Sequence, residues 1–200
     1  MKIRWLSRFG LVLVVAELLL VLLSWLLSAQ MVEGVRSLLS LEGVRWLLGR
    51  FVRLQLHPLL VWLLLGGMAM GCIVSSNILS DLRHERPLSY RSKMALRVSI
   101  LLLLVYVGLI VLLTATPHAA LLSVIGTLFP SPFSDALIPL VAFAFMLVGL
   151  SYGWAAGRLS KPEAMFVAMA NGVGQVAPWL VLYVPLVLFY ESLYYVFSLA

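Results

Sequence analysis

Apolar residues fill five stretches of the chain almost without interruption, at residues 9–29, 59–79, 94–114, 136–154 and 162–198, and polar residues gather between them. At about 1.5 Å of rise per residue, each stretch can cross the roughly 30 Å hydrocarbon core of a bilayer as a helix. The runs are continuous and do not alternate every second residue, which predicts helices and not an outer-membrane barrel. Residues 40–54 follow a different rule. Leu41, Val44, Leu48, Phe51 and Val52 fall on one helical face, Glu42, Arg50 and Arg53 fall opposite, and Ser40 stands where an N-cap belongs. This pattern predicts an amphipathic helix lying on the outer membrane surface, with Arg45, Arg50 and Arg53 reaching headgroups or a partner protein. The expected fold is an all-α polytopic membrane protein in which residues 1–200 form a single membrane domain of five transmembrane helices plus one outer-surface amphipathic helix.

The last stretch departs from the rest. Asn171-Gly172-Val173-Gly174-Gln175-Val176-Ala177-Pro178 places two glycines, two amides and a proline at membrane depth. Glycine is a poor helix former and proline lacks a backbone donor, so Gly172, Gly174 and Pro178 predict a break at residues 171–178. Irregular backbone at membrane depth needs protein or a water-filled cavity around it, and in transporters it often marks the transport site. Two readings follow: a proline kink packed between neighbours, or a substrate or ion site built from Asn171, Gln175 and Glu17. Glu17 lies about 12 Å along its helix from the cytoplasmic end. An isolated charge there costs about 2.5–3.5 kcal/mol, so Glu17 is expected to be protonated or to face polar neighbours, first as a structural interhelix hydrogen bond and alternatively as a polar layer shared with Tyr152 and Asn171 at similar depth. Gly149, Gly153 and Gly157 recur at four-residue spacing, and Gly67 and Gly71 make a Gly-x-x-x-Gly face; both predict close helix packing. Ser160-Lys161-Pro162-Glu163 reads as a capping box with proline in the first turn.

Composition narrows the class. With 63% hydrophobic and 11% charged residues, the chain has too little polar surface for a soluble domain. A net charge of +6 would point to nucleic acid in a soluble protein, but here membrane topology accounts for it and no nucleic-acid partner is expected. Lys2, Arg4 and Arg8 precede the first span, a basic group runs from Arg83 to Arg97, Arg158 and Lys161 follow the fourth span, and residues 115–135 carry no basic residue. The positive-inside rule then predicts a cytoplasmic (inner) membrane protein with its N-terminus inside and its C-terminus outside. The first run exceeds a signal-peptide h-region, lacks a small-x-small cleavage site and contains Glu17, so it is expected to be retained as a helix. The mixed charges Asp81, Arg83, His84, Glu85, Arg86, Arg91 and Lys93 predict a solvated cytoplasmic loop.

Little else suggests chemistry. Cys72 stands alone in an apolar span, as a packing residue would. His57, His84 and His118 fall in three separate loops, without metal-ligand spacing. Gly172-x-Gly174-x-x-Ala177 formally fits a dinucleotide fingerprint but lacks the βαβ unit in which that motif works. No acid, base and nucleophile can be named together, so no catalytic residue, metal or cofactor is expected and the chain does not read as an enzyme.

Two stretches carry a resemblance. Leu38-Leu39-Ser40-Leu41-Glu42-Gly43-Val44-Arg45-Trp46 resembles the outer-surface segment after the first helix of the p-aminobenzoyl-glutamate transporter (AbgT) family. Ser131-Pro132-Phe133, Pro139-Leu140, Tyr152-Gly153 and Ala177-Pro178 resemble that family's mid-chain motifs in the same order. The resemblance implies a dimeric transporter of folate-related amphipathic acids, coupled to an ion gradient and built from a scaffold part and a hairpin-bearing transport part. The hairpins have no counterpart here, and Glu17 departs from the family's first helix. The expectation is therefore a minimal AbgT-like protein, the scaffold half of a transporter, oligomeric or partnered with a second membrane protein, with transport retained or lost both left open. The alternatives are a small secondary transporter in its own right, and an accessory subunit of a larger membrane complex that docks through residues 40–54.

Overall fold

The computed structural model describes residues 2–32, 34–83, 89–115 and 131–197. Among them seven helices and no strand occur: α1 (Lys2–Ala29), α2 (Leu41–Leu54), α3 (Pro58–Ser76), α4 (Ile78–Arg83), α5 (Tyr90–Ala115), α6 (Pro132–Ala155) and α7 (Pro162–Val196). Five helical stretches are long and apolar enough to cross a membrane: α1, α3 with α2 leading into it, α5, α6 and α7. The protein is an all-α polytopic membrane protein. His84, Glu85, Arg86, His118 and the uncharged segment at 116–130 lie outside the described residues.

Local chemistry sets the helix ends. Ser40 caps α2 by accepting a hydrogen bond from the Gly43 amide at 3.0 Å. The apolar face of α2 stays open, with Leu41 82%, Leu48 71% and Val52 74% exposed. The second span stops at Ser76, earlier than the apolar run suggested, because Asn77 takes a left-handed conformation (φ 56) that this residue type tolerates better than most. The fourth span starts earlier than its apolar run, since Ser131 and Ser134 exchange reciprocal side-chain to backbone bonds around Pro132.

Three expectations are corrected. The last helix is not broken: α7 runs from Pro162 to Val196 with Pro178 and Pro185 inside it. Gly172, expected to loosen the backbone, is buried against Gly67 and Gly71 of α3, and this packing supports the helical path. The Ser160 capping box does not form either. With Pro162 at the first helical position the cap falls on Lys161, whose carbonyl accepts from Ala164 and Met165 at 3.1 and 3.2 Å. Gly157, finally, is not on a helical face. It adopts φ +77 in the turn after α6, where the amides of Arg158 and Leu159 both bond the Gly153 carbonyl at 2.8 and 2.9 Å.

By packing, the chain divides into two compact units, Met1–Val61 with Ala177–Ala200, and Trp62–Val176. In the second unit α3 meets the first half of α7 through glycine: a Cβ on Gly71 would overlap the Ala168 carbonyl oxygen, and one on Gly172 would overlap that of Gly67. Gly149 of α6 presses on Cys72 and Ile73, and Ala69, Cys72, Ala142 and Met146 fill the core beside it. Between α5 and α6, Ser151 donates to Ser99 at 3.0 Å and Tyr106 to the Leu140 carbonyl at 3.0 Å.

In the first unit Leu6 and Leu13 of α1 pack on Leu182, and Leu20 packs with Leu38 and Val196. The fully buried Ser24 accepts from the Leu38 amide at 3.2 Å. The Tyr183 hydroxyl donates to the Gln55 carbonyl at 2.7 Å, tying the end of α2 to α7. Gly10, Pro178 and Pro185 help to line an apolar groove of about 330 Å³ between α1 and α7.

Because a new Cβ at Gly71 or Gly172 meets backbone, which cannot swing aside, Gly71→Ala and Gly172→Ala should each cost about 1–3 kcal/mol. Gly66→Ala, earlier in α3 and with open space around it, should be neutral or stabilising by up to about 1 kcal/mol. Thermal unfolding in detergent measures the contrast, and equal losses at all three positions would contradict the packing.

Candidate functional site

Polar groups in a bilayer-spanning bundle are few and expensive, so each is a candidate. Glu17, from the middle of α1, is half-buried, and its Oε1 accepts from the fully buried Ser192 hydroxyl of α7 at 2.7 Å. Its Oε2 is also buried and, among the described residues, meets no hydrogen-bond donor. For Glu17 the structural interhelix hydrogen bond expected from the sequence is what forms. Glu17 is bonded to Ser192, whereas Tyr152, 1% exposed, sends its hydroxyl to Asp81 at 2.5 Å.

Asn171 and Gln175 share one face of α7, one turn apart, and both are exposed. Gly172 and Ala168, which lie on the face turned toward α3, are buried. Asn171 sits about 14 Å along the helix axis from Pro162, within a stretch long and apolar enough to cross a membrane, and is turned away from the packed face. Gly174 has open space where its Cβ would stand.

The largest polar cluster is one that sequence reasoning missed. Asp81 of α4 holds Arg158, which lies just past α6, with both carboxylate oxygens at 3.0 and 2.9 Å, and accepts from Ser92 of α5 at 3.4 Å. Arg158 also donates to the Ser76 carbonyl at the end of α3, at 2.7 Å. With Tyr152 this joins α3, α4, α5 and α6 at one end of their unit. The Arg158 guanidinium beside Asp81 holds its carboxyl below the ordinary 3.8, and hydrogen bonds from Tyr152 and Ser92 add to that, while partial burial opposes it. The arrangement suits a structural clamp: a carboxylate with its acceptor sites filled and a cation bridging a helix end.

At the α2 end of the first unit, Arg45 and Arg50 line a cavity together with Arg36, Glu42, Trp46 and Tyr195, while Arg53 is not among its lining residues. Arg36 and Tyr195 were not anticipated. Arg36 lies in a loop without periodicity, and Tyr195 lies near the far end of the chain.

The family model described as "AbgT putative transporter family" matches residues 71–194, well over half of the chain. No curated protein and no solved structure matches it.

Asp81→Asn keeps the shape of the clamp and removes its charge, and should lower stability at neutral pH by about 1 kcal/mol, since the pair is partly exposed. The stability that a depressed carboxyl contributes is complete above its unfolded pKa of about 3.9 and is lost as pH falls through the lower folded value. The gap between the native chain and Asp81→Asn should therefore hold from neutral pH down to about pH 4 and close below it. Unfolding temperatures measured across that range test this; a gap already closed at pH 5 would contradict it.

Proposed function

Because the chain belongs to the AbgT putative transporter family, we propose that it acts as the scaffold part of a membrane transporter, assembled with copies of itself or with a second membrane protein. The observation that carries this reading is the outward face of α7. Asn171 and Gln175 are exposed at a depth where an amide without partners is costly. A neighbouring helix that supplies hydrogen-bond partners removes that cost, and the open space at Gly174 lets it approach closely. The glycine contacts of α3, α6 and α7 give the rigid body that a scaffold needs. In this reading the chain sits in the cytoplasmic membrane with its N-terminus inside and its C-terminus outside, and it takes part in moving folate-related amphipathic acids.

A second reading, a small secondary transporter in its own right, is favoured by Glu17, whose buried and unpartnered Oε2 could take a proton or a coupling cation. Two measurements separate them: the native mass of the complex taken from its own membrane, and uptake of p-aminobenzoyl-glutamate. The scaffold reading expects a complex larger than one chain that falls to a single chain in Asn171→Leu with Gln175→Leu, and uptake that disappears with it. Glu17→Gln should leave mass and uptake unchanged. A native monomer overturns the scaffold reading, and loss of uptake in Glu17→Gln with assembly intact moves the function to Glu17.

A further inference from the structure

The cavity at the α2 end of the first unit is lined by Arg36, Glu42, Arg45, Trp46, Arg50 and Tyr195 and has a volume of about 330 Å³. Its walls are held from several directions. The Arg36 amide donates to the Val196 carbonyl at 2.9 Å, joining the loop before α2 to the end of α7. A Cβ on Gly43 would overlap the Ser37 carbonyl, so the first turn of α2 lies against that same loop. Trp46 stacks on Tyr195 with ring centroids 4.4 Å apart, and the Arg36 guanidinium stands 6.0 Å from the Tyr195 ring on which cation–π attraction holds it.

Among the described residues, three guanidiniums thus meet one carboxylate over an aromatic floor. Among the described residues the only ion pair is Arg158–Asp81, so no salt bridge between described residues cancels the excess positive charge of the cavity. Guanidinium is the side chain best matched to phosphate oxygens, which it can hold with paired, charge-assisted hydrogen bonds. Location narrows the source. The open apolar face of α2, with Leu41, Leu48 and Val52 more than two-thirds exposed, needs lipid to cover it, which sets the cavity at headgroup level.

We propose that this cavity is a binding site for a phosphate group, and that its occupant is the headgroup of a phospholipid whose tails lie along the apolar face of α2. The site goes beyond general surface attraction because it excludes Arg53, which shares α2 but does not line the cavity.

The test is native mass spectrometry of the full chain released from mixed micelles containing either dioleoylphosphatidylglycerol or dioleoylglycerol, which has the same tails and no phosphate. The native chain should retain one phosphatidylglycerol and no dioleoylglycerol. Arg36→Ala, Arg45→Ala and Arg50→Ala should each weaken retention about tenfold, the effect of one lost charge-assisted contact, with Arg53→Ala unchanged. Displacement of the lipid by an equal concentration of inorganic phosphate would keep the phosphate site and assign it a soluble ligand. Equal weakening by Arg53→Ala would overturn the site as diffuse charge, and equal retention of dioleoylglycerol would overturn the role of phosphate. Glu42→Gln, which removes a negative wall, should tighten binding and shows that the cavity itself is read even if an arginine variant folds poorly.

Discussion

The close approach of α3 and α7 at Gly71 and Gly172 governs the geometry of the unit that contains it. Lipid offers no hydrophobic drive for two apolar helices to meet, so the contact depends on dispersion between backbones brought near each other, and a single methyl group there would hold them apart. With Gly172 committed to α3, helical periodicity leaves no choice for its neighbours. Asn171 and Gln175 must turn outward. The same logic acts on α6, where Gly149 lies on Cys72 and Ile73; one turn further along, Tyr152 then points at the end of α3, where Asp81 waits just beyond the left-handed turn at Asn77. A polar clamp and an outward amide pair thus both follow from where glycine permits contact.

Much of the fold was legible because spans are set by continuous apolar length, and α2 by a charge pattern that no other element has. Ser40 as a cap and the packing glycines of α3 could be read locally. What failed was local reasoning about a non-local outcome. Gly172, Gly174 and Pro178 each disfavour a helix in isolation, yet α7 continues because the backbone has no water to turn to and Gly172 is clasped by α3. Gly157 fell at the right spacing for a packing face but past the end of α6, where spacing has no meaning.

The candidate sites were less legible, for a related reason. Asp81 and Arg158 are 77 residues apart, and each looks like an ordinary solvated charge beside a span. Only the packing of α6 on α3 pairs them. Arg36 and Tyr195 likewise become one wall of a cavity because the loop before α2 is bonded to the end of α7. Glu17 was visible as an acid in a span, but Ser192, its partner, was one of many serines.

The polar residues of the spans therefore fall into three states that physical cost distinguishes. Tyr152 and the serine pair Ser99 and Ser151 are satisfied inside the protein and serve packing. Glu17 is half satisfied, with one oxygen bonded and the other buried without a donor; a proton on Oε2 would neutralise the acid, while Oε1 keeps its bond from Ser192. Asn171 and Gln175 are turned outward altogether. A membrane helix tolerates the first state anywhere and the second at the cost of a buried acid, but the third asks for something outside the fold. Two amides one turn apart, beside a glycine with open space around it, make a surface on which another helix would find both room and hydrogen bonds, and apolar lipid would find neither advantage.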